Sequence, residues 1–149
     1  MNKEELTTLL SNRFQGKDIG ESFGLPALII AKEELMDTAH LLKEDQRFGF
    51  NQLVCETVTD RSEYFELVCH LRAVGKGHEM ILKTHVEREE TPLLPSLYEL
   101  WQAAELFEDE IYDLFGIRFD NHPHLRRLFL DEEFEGYPLR KDFVNTLDL

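Results

Sequence analysis

The sequence predicts an α+β protein: a small mixed four-stranded sheet with helices, followed by an acid-rich helix and an extended C-terminal tail. Three observations predict it. Tyr64 to Val74 alternate, with Phe65, Leu67, Cys69, Leu71 and Ala73 on one side and Glu66, His70 and Arg72 on the other, as in a half-exposed strand. Two earlier segments instead carry apolar residues at three- and four-residue steps, the helical period. From Glu105 to Phe143 the chain starts with that same helical period, stops at a glycine, and runs on with prolines and no period at all.

In order, Asn2 with Glu5 three places on reads as a capping box, opening a helix that buries Leu6, Leu9, Leu10 and Phe14 and closes at Gly16. Gln15 to Phe23 is polar and reads as a connection. Leu25 to Ala31 is short and apolar, a buried strand, with Pro26 at its start where no ladder donor is needed. Lys32 to Asp45 is helical, with Leu35, Met36, Ala39 and Leu42 on one side. Phe48-Gly49-Phe50 is a turn with two anchoring aromatics, and Leu53 to Thr59 is the next strand. Strand, helix and strand in that order suggest a crossover. Gly75-Lys76-Gly77-His78 turns the strand at Tyr64–Val74 into a hairpin whose return carries Met80, Leu82, Thr84 and Val86 inward. The helices are expected on one face of the sheet. Thr91 to Pro95 ends the sheet, and Ser96 with Glu99 reads as a second capping box opening a short helix that contains Trp101.

The acid-rich helix runs from about Ala103 to Phe115. Leu100, Ala104, Phe107, Ile111, Leu114 and Phe115 form its apolar stripe, and Gly116 stands at the C′ place, where a left-handed residue ends a helix. Its other faces carry Glu105, Glu108, Asp109, Glu110 and Asp113 with no Lys or Arg. Like charges three or four apart cost about 0.2–0.5 kcal/mol each on an isolated helix. The following segment holds the cations: Arg118, Arg126, Arg127, Arg140 and Lys141. Acidic helix and basic tail are therefore expected to meet each other or a shared partner. The tail's aromatic and apolar points (Leu128, Phe129, Leu130, Phe134, Phe143) lack a period, so a second protein is the expected place for them. The division is 1–116, the α+β domain with its acid-rich helix, and 117–149, a partner-binding tail.

With 149 residues, 42% hydrophobic and 31% charged, the chain suits one soluble domain. No apolar run is long enough to span a bilayer, and the first residues lack the apolar core of a signal peptide. A net charge of −14 argues against nucleic acid and anionic lipid as direct partners. Cys55 and Cys69 both fall on faces expected to point inward and read as buried thiols. Glu105, Glu108, His122 and His124 are the candidates for a metal, but no Glu-x-x-His step occurs, and the acid is expected on a solvated or partner-facing surface. No nucleophile elbow and no phosphate-binding glycine loop is present. Trp101, Tyr112 and Phe115 read as packing residues.

Several blocks in the last third carry a resemblance. Leu100-Trp101, Glu108-Asp109-Glu110-Ile111-Tyr112-Asp113-Leu114-Phe115-Gly116-Ile117, His122-Pro123-His124-Leu125-Arg126-Arg127 and Glu135-Gly136-Tyr137-Pro138-Leu139-Arg140-Lys141-Asp142-Phe143 stand in this order. They resemble the signature of the 30-kDa subunit of proton-pumping NADH–quinone oxidoreductase, respiratory complex I. Two positions depart from it: the family's arginine between two glutamates is Asp109, and its aspartate after the proline is His124. The resemblance implies a member of the peripheral arm, on the cytoplasmic side and membrane-associated through its partners. It implies no catalytic site, metal or cofactor in this chain; FMN, iron–sulfur clusters and quinone belong to the assembly. His122, Pro123, Leu125, Arg126, Arg127, Pro138, Leu139, Arg140, Lys141, Asp142 and Phe143 would dock on the 49-kDa (D) subunit near the quinone site, beside iron–sulfur subunits. Glu108, Glu110, Asp113 and Gly116 would organise the helix. Two alternatives stand: the equivalent subunit of a membrane-bound hydrogenase or a ferredoxin- or deazaflavin-linked dehydrogenase, and a free-standing metal-dependent hydrolase built on the acidic cluster.

Overall fold

A computed structural model describes residues 1–145, so the last four residues of the expected tail lie outside the described residues. Helix α1 (Lys3–Arg13) begins at the expected capping box: Glu5 N–H donates to Asn2 Oδ1 at 2.8 Å, and Asn2 N–H donates to Glu5 Oε2 at 2.9 Å. Then come β1 (Asp18–Ser22), β2 (Leu25–Ala31), α2 (Leu35–Glu44), β3 (Gln52–Asp60), β4 (Tyr64–Ala73) and β5 (His78–Glu87). These strands form one mixed sheet in the order β1-β2-β5-β4-β3, with only the β2–β5 pair parallel. Strands β6 (Leu93–Pro95) and β7 (Arg118–Asp120) pair in parallel as a second, small sheet, and α3 (Ala104–Phe115) lies between them in sequence.

The sheet is thus α+β as expected but has five strands, not four. The extra strand is β1, read from sequence as a connection. It is an edge strand exposed along most of its length, so it needs no apolar alternation. The turn joining it to β2 is made by Phe23 and Gly24, both left-handed (φ 54° and 75°), which is the backbone of a two-residue hairpin without the usual Asn-Gly. Pro26 precedes the first residue of β2 in register with β5, as its missing N–H requires. β2 and β3 are not neighbours; β5 and β4 lie between them.

The three helices share one core with the inner face of the sheet. Leu6 and Leu10 of α1, Leu35, Ala39 and Leu42 of α2, and Ala104, Ile111 and Phe115 of α3 join Phe65, Leu67, Leu71, Met80 and Leu82. Each large apolar side chain among them, fully buried, contributes about 1.5–3 kcal/mol. Phe48 and Phe50 anchor the turn before β3, and Trp101 Nε1–H donates to the Phe50 carbonyl at 3.1 Å. Among the described residues, no helix covers the other face of the sheet. That face carries a groove of about 480 Å³ lined by residues that include Phe23, Leu25, Cys55, Val68 and Ile81.

Three further expectations change. Cys69 is buried, but Cys55 is exposed. A register shift between Leu53 and Cys55 adds a residue to β3, and everything after it changes sides. Glu56 therefore points into the core at 1% exposure. Ser96 to Trp101 is a turn rather than a helix: the N–H groups of Leu100 and Trp101 both donate to the Leu97 carbonyl. Ser96 still accepts locally, from Tyr98 N–H at 3.1 Å, but its hydroxyl is spent on Glu108 of α3. Finally, the strand after Thr91 does not simply end the sheet; it receives β7, which brings Ile117 and Phe119 into the core.

Candidate docking surface

Helix α3 follows from its apolar stripe. Ala104, Ile111 and Phe115 are buried and Phe107 and Leu114 partly so, while Gly116 (φ 77°) closes the helix with its N–H on the Tyr112 carbonyl. A Cβ on Gly116 would meet the Tyr137 ring at 2.6 Å, so glycine here also admits the returning tail.

The acid on α3 is not a solvated face. Glu108, Asp109 and Asp113 are 0%, 1% and 0% exposed, and only Glu105 and Glu110 stay half-buried. The partners come from outside the helix. Glu108 accepts the Ser96 hydroxyl at 2.6 Å and Leu97 N–H at 3.0 Å. Asp113 Oδ2 accepts three consecutive backbone N–H groups, from Leu128 at 3.1 Å, Phe129 at 2.7 Å and Leu130 at 3.1 Å. Its Oδ1 faces Arg127 Nη1 at 3.3 Å. Burial pushes the Asp113 carboxyl up, but these donors outweigh it and hold the group below the usual range.

Asp109, which replaces the basic residue of the resembled pattern, finds neighbours within the chain, although its buried Oδ2 receives no hydrogen bond among the described residues. His122 Nε2 lies 3.6 Å away, Arg126 N–H donates at 3.3 Å, and Arg126 Nε lies 4.0 Å from Oδ2. Burial still pushes its carboxyl up. His122 is held by the Glu105 carbonyl at 3.0 Å and by His124 N–H, which donates to its Nδ1 at 3.1 Å.

The tail is fastened across this helix by its cations. Arg127, its side chain 8% exposed, donates to the carbonyls of Asp113, Phe134 and Gly136 and lies over the Tyr137 ring at 4.8 Å. Arg140 donates to the Phe115 carbonyl at 2.5 Å, where the helix C-terminus favours a cation, and to the Glu90 carbonyl at 3.2 Å. Leu139 N–H closes on the Leu114 carbonyl at 3.0 Å. Asp60, at the end of β3, takes Lys141 N–H at 2.9 Å, Ser62 N–H at 2.8 Å and Arg88. Burial opposes its ionisation, yet these bonds bring it down to about 2. Arg88 also reaches Asp142 at 3.1 Å. Phe134 and Phe143 stack at 6.1 Å.

Acidic helix and basic tail thus meet each other. The expectation that the tail lacks a place on its own domain is corrected: side chains fail to show a period because fixed carbonyls and carboxylates, not an apolar stripe, position it. Of the expected docking residues, Leu125, Pro138 and Phe143 are half-buried, while Pro123, Arg126, Leu139, Lys141 and Asp142 are exposed or nearly so. Among the described residues, three large apolar side chains stay outward on this segment: Phe129 at 67%, Leu139 at 53% and Val144 at 61%. Asp60 and Arg88 were missed, since nothing in their local sequence marks a contact tens of residues away. Among the described residues, no three His, Cys, Asp or Glu side chains converge as metal ligands would, and no helix is long and apolar enough to cross a membrane.

Fold and surface define an α+β domain with a C-terminal strap laid over an acid-bearing helix. Residues 28–147 match the family described as respiratory-chain NADH dehydrogenase, 30 Kd subunit, and the chain belongs to that family. A relative from Moorella thermoacetica, named as the C subunit of NADH-quinone oxidoreductase, is 38% identical over 136 residues, 90% of each chain. One of the same name from Cupriavidus taiwanensis is 34% identical over 95% of this chain and 74% of its own. The chain spans 59% of the Hyphomonas neptunium relative and 64% of that from Rhodopseudomonas palustris strain TIE-1. The fold is shared, at TM-score 0.81 and 23% identity over 97% of this chain and 87% of the other, with a chain in the structure of the membrane-bound sulfane sulfur reductase, an archaeal respiratory membrane complex.

Proposed function

We propose that the chain is a peripheral subunit of a membrane-bound NADH–quinone oxidoreductase, docking through residues 117–149 on a 49-kDa D-type subunit near its quinone site and beside iron–sulfur subunits. On this reading it carries no redox group, metal or catalytic site; FMN, iron–sulfur clusters and quinone belong to its partners, and the assembly sits on the cytoplasmic side of the membrane. The observation that carries it is the division of labour in the strap. Its buried arginine and its backbone N–H groups are spent on α3, while Phe129, Leu139 and Val144 are left outward. Apolar anchors on a rigid support are what an interface needs. A second reading is the equivalent subunit of a hydrogenase-type or ferredoxin-linked membrane complex; the fold shared with a chain of the membrane-bound sulfane sulfur reductase keeps it in view.

The test is co-expression with a D-type large subunit. Phe129→Ser with Leu139→Ser and Val144→Ser is expected to weaken association about 100-fold or more, since two anchors worth about 2 kcal/mol each suffice. The melting temperature of the free chain should hold. Full retention of the complex by the triple variant contradicts the docking reading. A large subunit that keeps paired nickel-binding Cys-x-x-Cys motifs would select the second reading.

A further inference from the structure

The bulge that exposes Cys55 turns Glu56 inward, level with Cys69 on β4. Neither Glu56 carboxyl oxygen receives a hydrogen bond from an N–H or hydroxyl group of the described residues. The group it meets is Glu108 on α3. Both Glu108 oxygens are already engaged, one by the Ser96 hydroxyl and one by Leu97 N–H. An ionised carboxylate only accepts, so two facing carboxylates have no hydrogen bond between them unless one carries a proton. In a site closed to water they also cannot both be charged.

We propose that Glu56 and Glu108 bind one proton between them at neutral pH, carried by Glu56 and donated to Glu108, and that this proton fastens β3 to the helix bearing the C-terminal strap. The surroundings agree. The thiols of Cys69 and Cys55 lie on the Glu56 side, Glu110 stands near Cys55, and His122 is the basic group acting on Glu108. No cation among the described residues bonds to Glu56, and burial, then the Glu108 charge, pushes its carboxyl well up. Burial pushes the Glu108 carboxyl up as well, but the bonds from Ser96 and Leu97 favour its charge and work against that rise. Nothing in the proposal depends on which partner the strap meets.

The sign follows from linkage. A carboxyl raised on folding keeps a proton that the unfolded chain has lost. Stability is then greatest below the unfolded value and falls as pH rises toward the folded one. The experiment compares the full chain with Glu56→Gln, whose amide donates permanently and does not titrate. Above about pH 5, where an unfolded glutamate has lost its proton, the wild-type folding equilibrium is expected to fall about tenfold per pH unit relative to the variant, until the pair ionises. Parallel curves overturn the proposal. Infrared spectra give an independent reading. At about pH 8, where ordinary carboxylates are ionised, the folded wild type should show a protonated-carboxyl C=O stretch that weakens in Glu56→Gln or, should that variant not fold, in Glu108→Gln. A wild-type spectrum without that stretch overturns the proposal outright, whatever the variants do.

Discussion

Asp113→Ala is expected to cost about 3–5 kcal/mol, the range for breaking a buried ion pair from one side. The substitution strands the Arg127 guanidinium, whose side chain is 8% exposed. It also leaves the N–H groups of Leu128, Phe129 and Leu130 without their acceptor. Three part-buried donors would lose their acceptor at once, and leaving a buried donor unsatisfied costs more than the bond was worth. The chain avoids that cost by releasing the strap, so limited proteolysis should cut within residues 121–145 before the sheet is touched. Asp113→Asn keeps an acceptor oxygen but loses the charge, and should fall between. Equal melting of wild type and Asp113→Ala, with the tail equally resistant, would contradict the role given to this carboxylate.

Gly116→Ala should come next, at about 2–5 kcal/mol. Two costs add. The left-handed backbone at φ 77° penalises any Cβ by about 1–2 kcal/mol. The new carbon would also sit 2.6 Å from the Tyr137 ring, and relieving such overpacking typically costs about 1–3 kcal/mol. The two are separable by a double-mutant cycle. In a Tyr137→Ala background the ring clash is gone, and Gly116→Ala should cost the backbone share plus whatever it takes to shift the Arg140 guanidinium, 2.9 Å from the new carbon. An undiminished cost in that background would mean that the ring does not rest on Gly116.

The regular elements were legible because their burial follows a period. Phe65, Leu67, Cys69, Leu71 and Ala73 are buried as their alternation predicts, and the α3 stripe with Gly116 at its end stands where spacing put it. What was illegible is whatever a distant residue decides. Charged residues sort outward in any pattern reading, yet Asp113 is buried because residues fifteen or more places later bring their N–H groups to it. Asp109 is buried for the same reason, through His122 and Arg126. β1 shows no alternation because an exposed edge needs none, and the bulge in β3 leaves no local mark, so Cys55 was assigned to the inward side that Glu56 occupies. The later motif blocks coincide with the strap itself. They mark the residues that fasten the strap, such as Arg127 and Arg140, as well as those left outward, such as Leu139.

The central claim is that α3 holds the strap in shape before any partner arrives. Amide hydrogen exchange at Leu128, Phe129 and Leu130 tests it most directly, measured on the free chain and again with the large subunit bound. The account predicts that these three amides are already protected in the free chain, and that Asp113→Ala abolishes the protection. Rapid exchange in the free chain, with protection appearing only in the complex, would mean that the partner folds the strap and that the carboxylates of α3 do not.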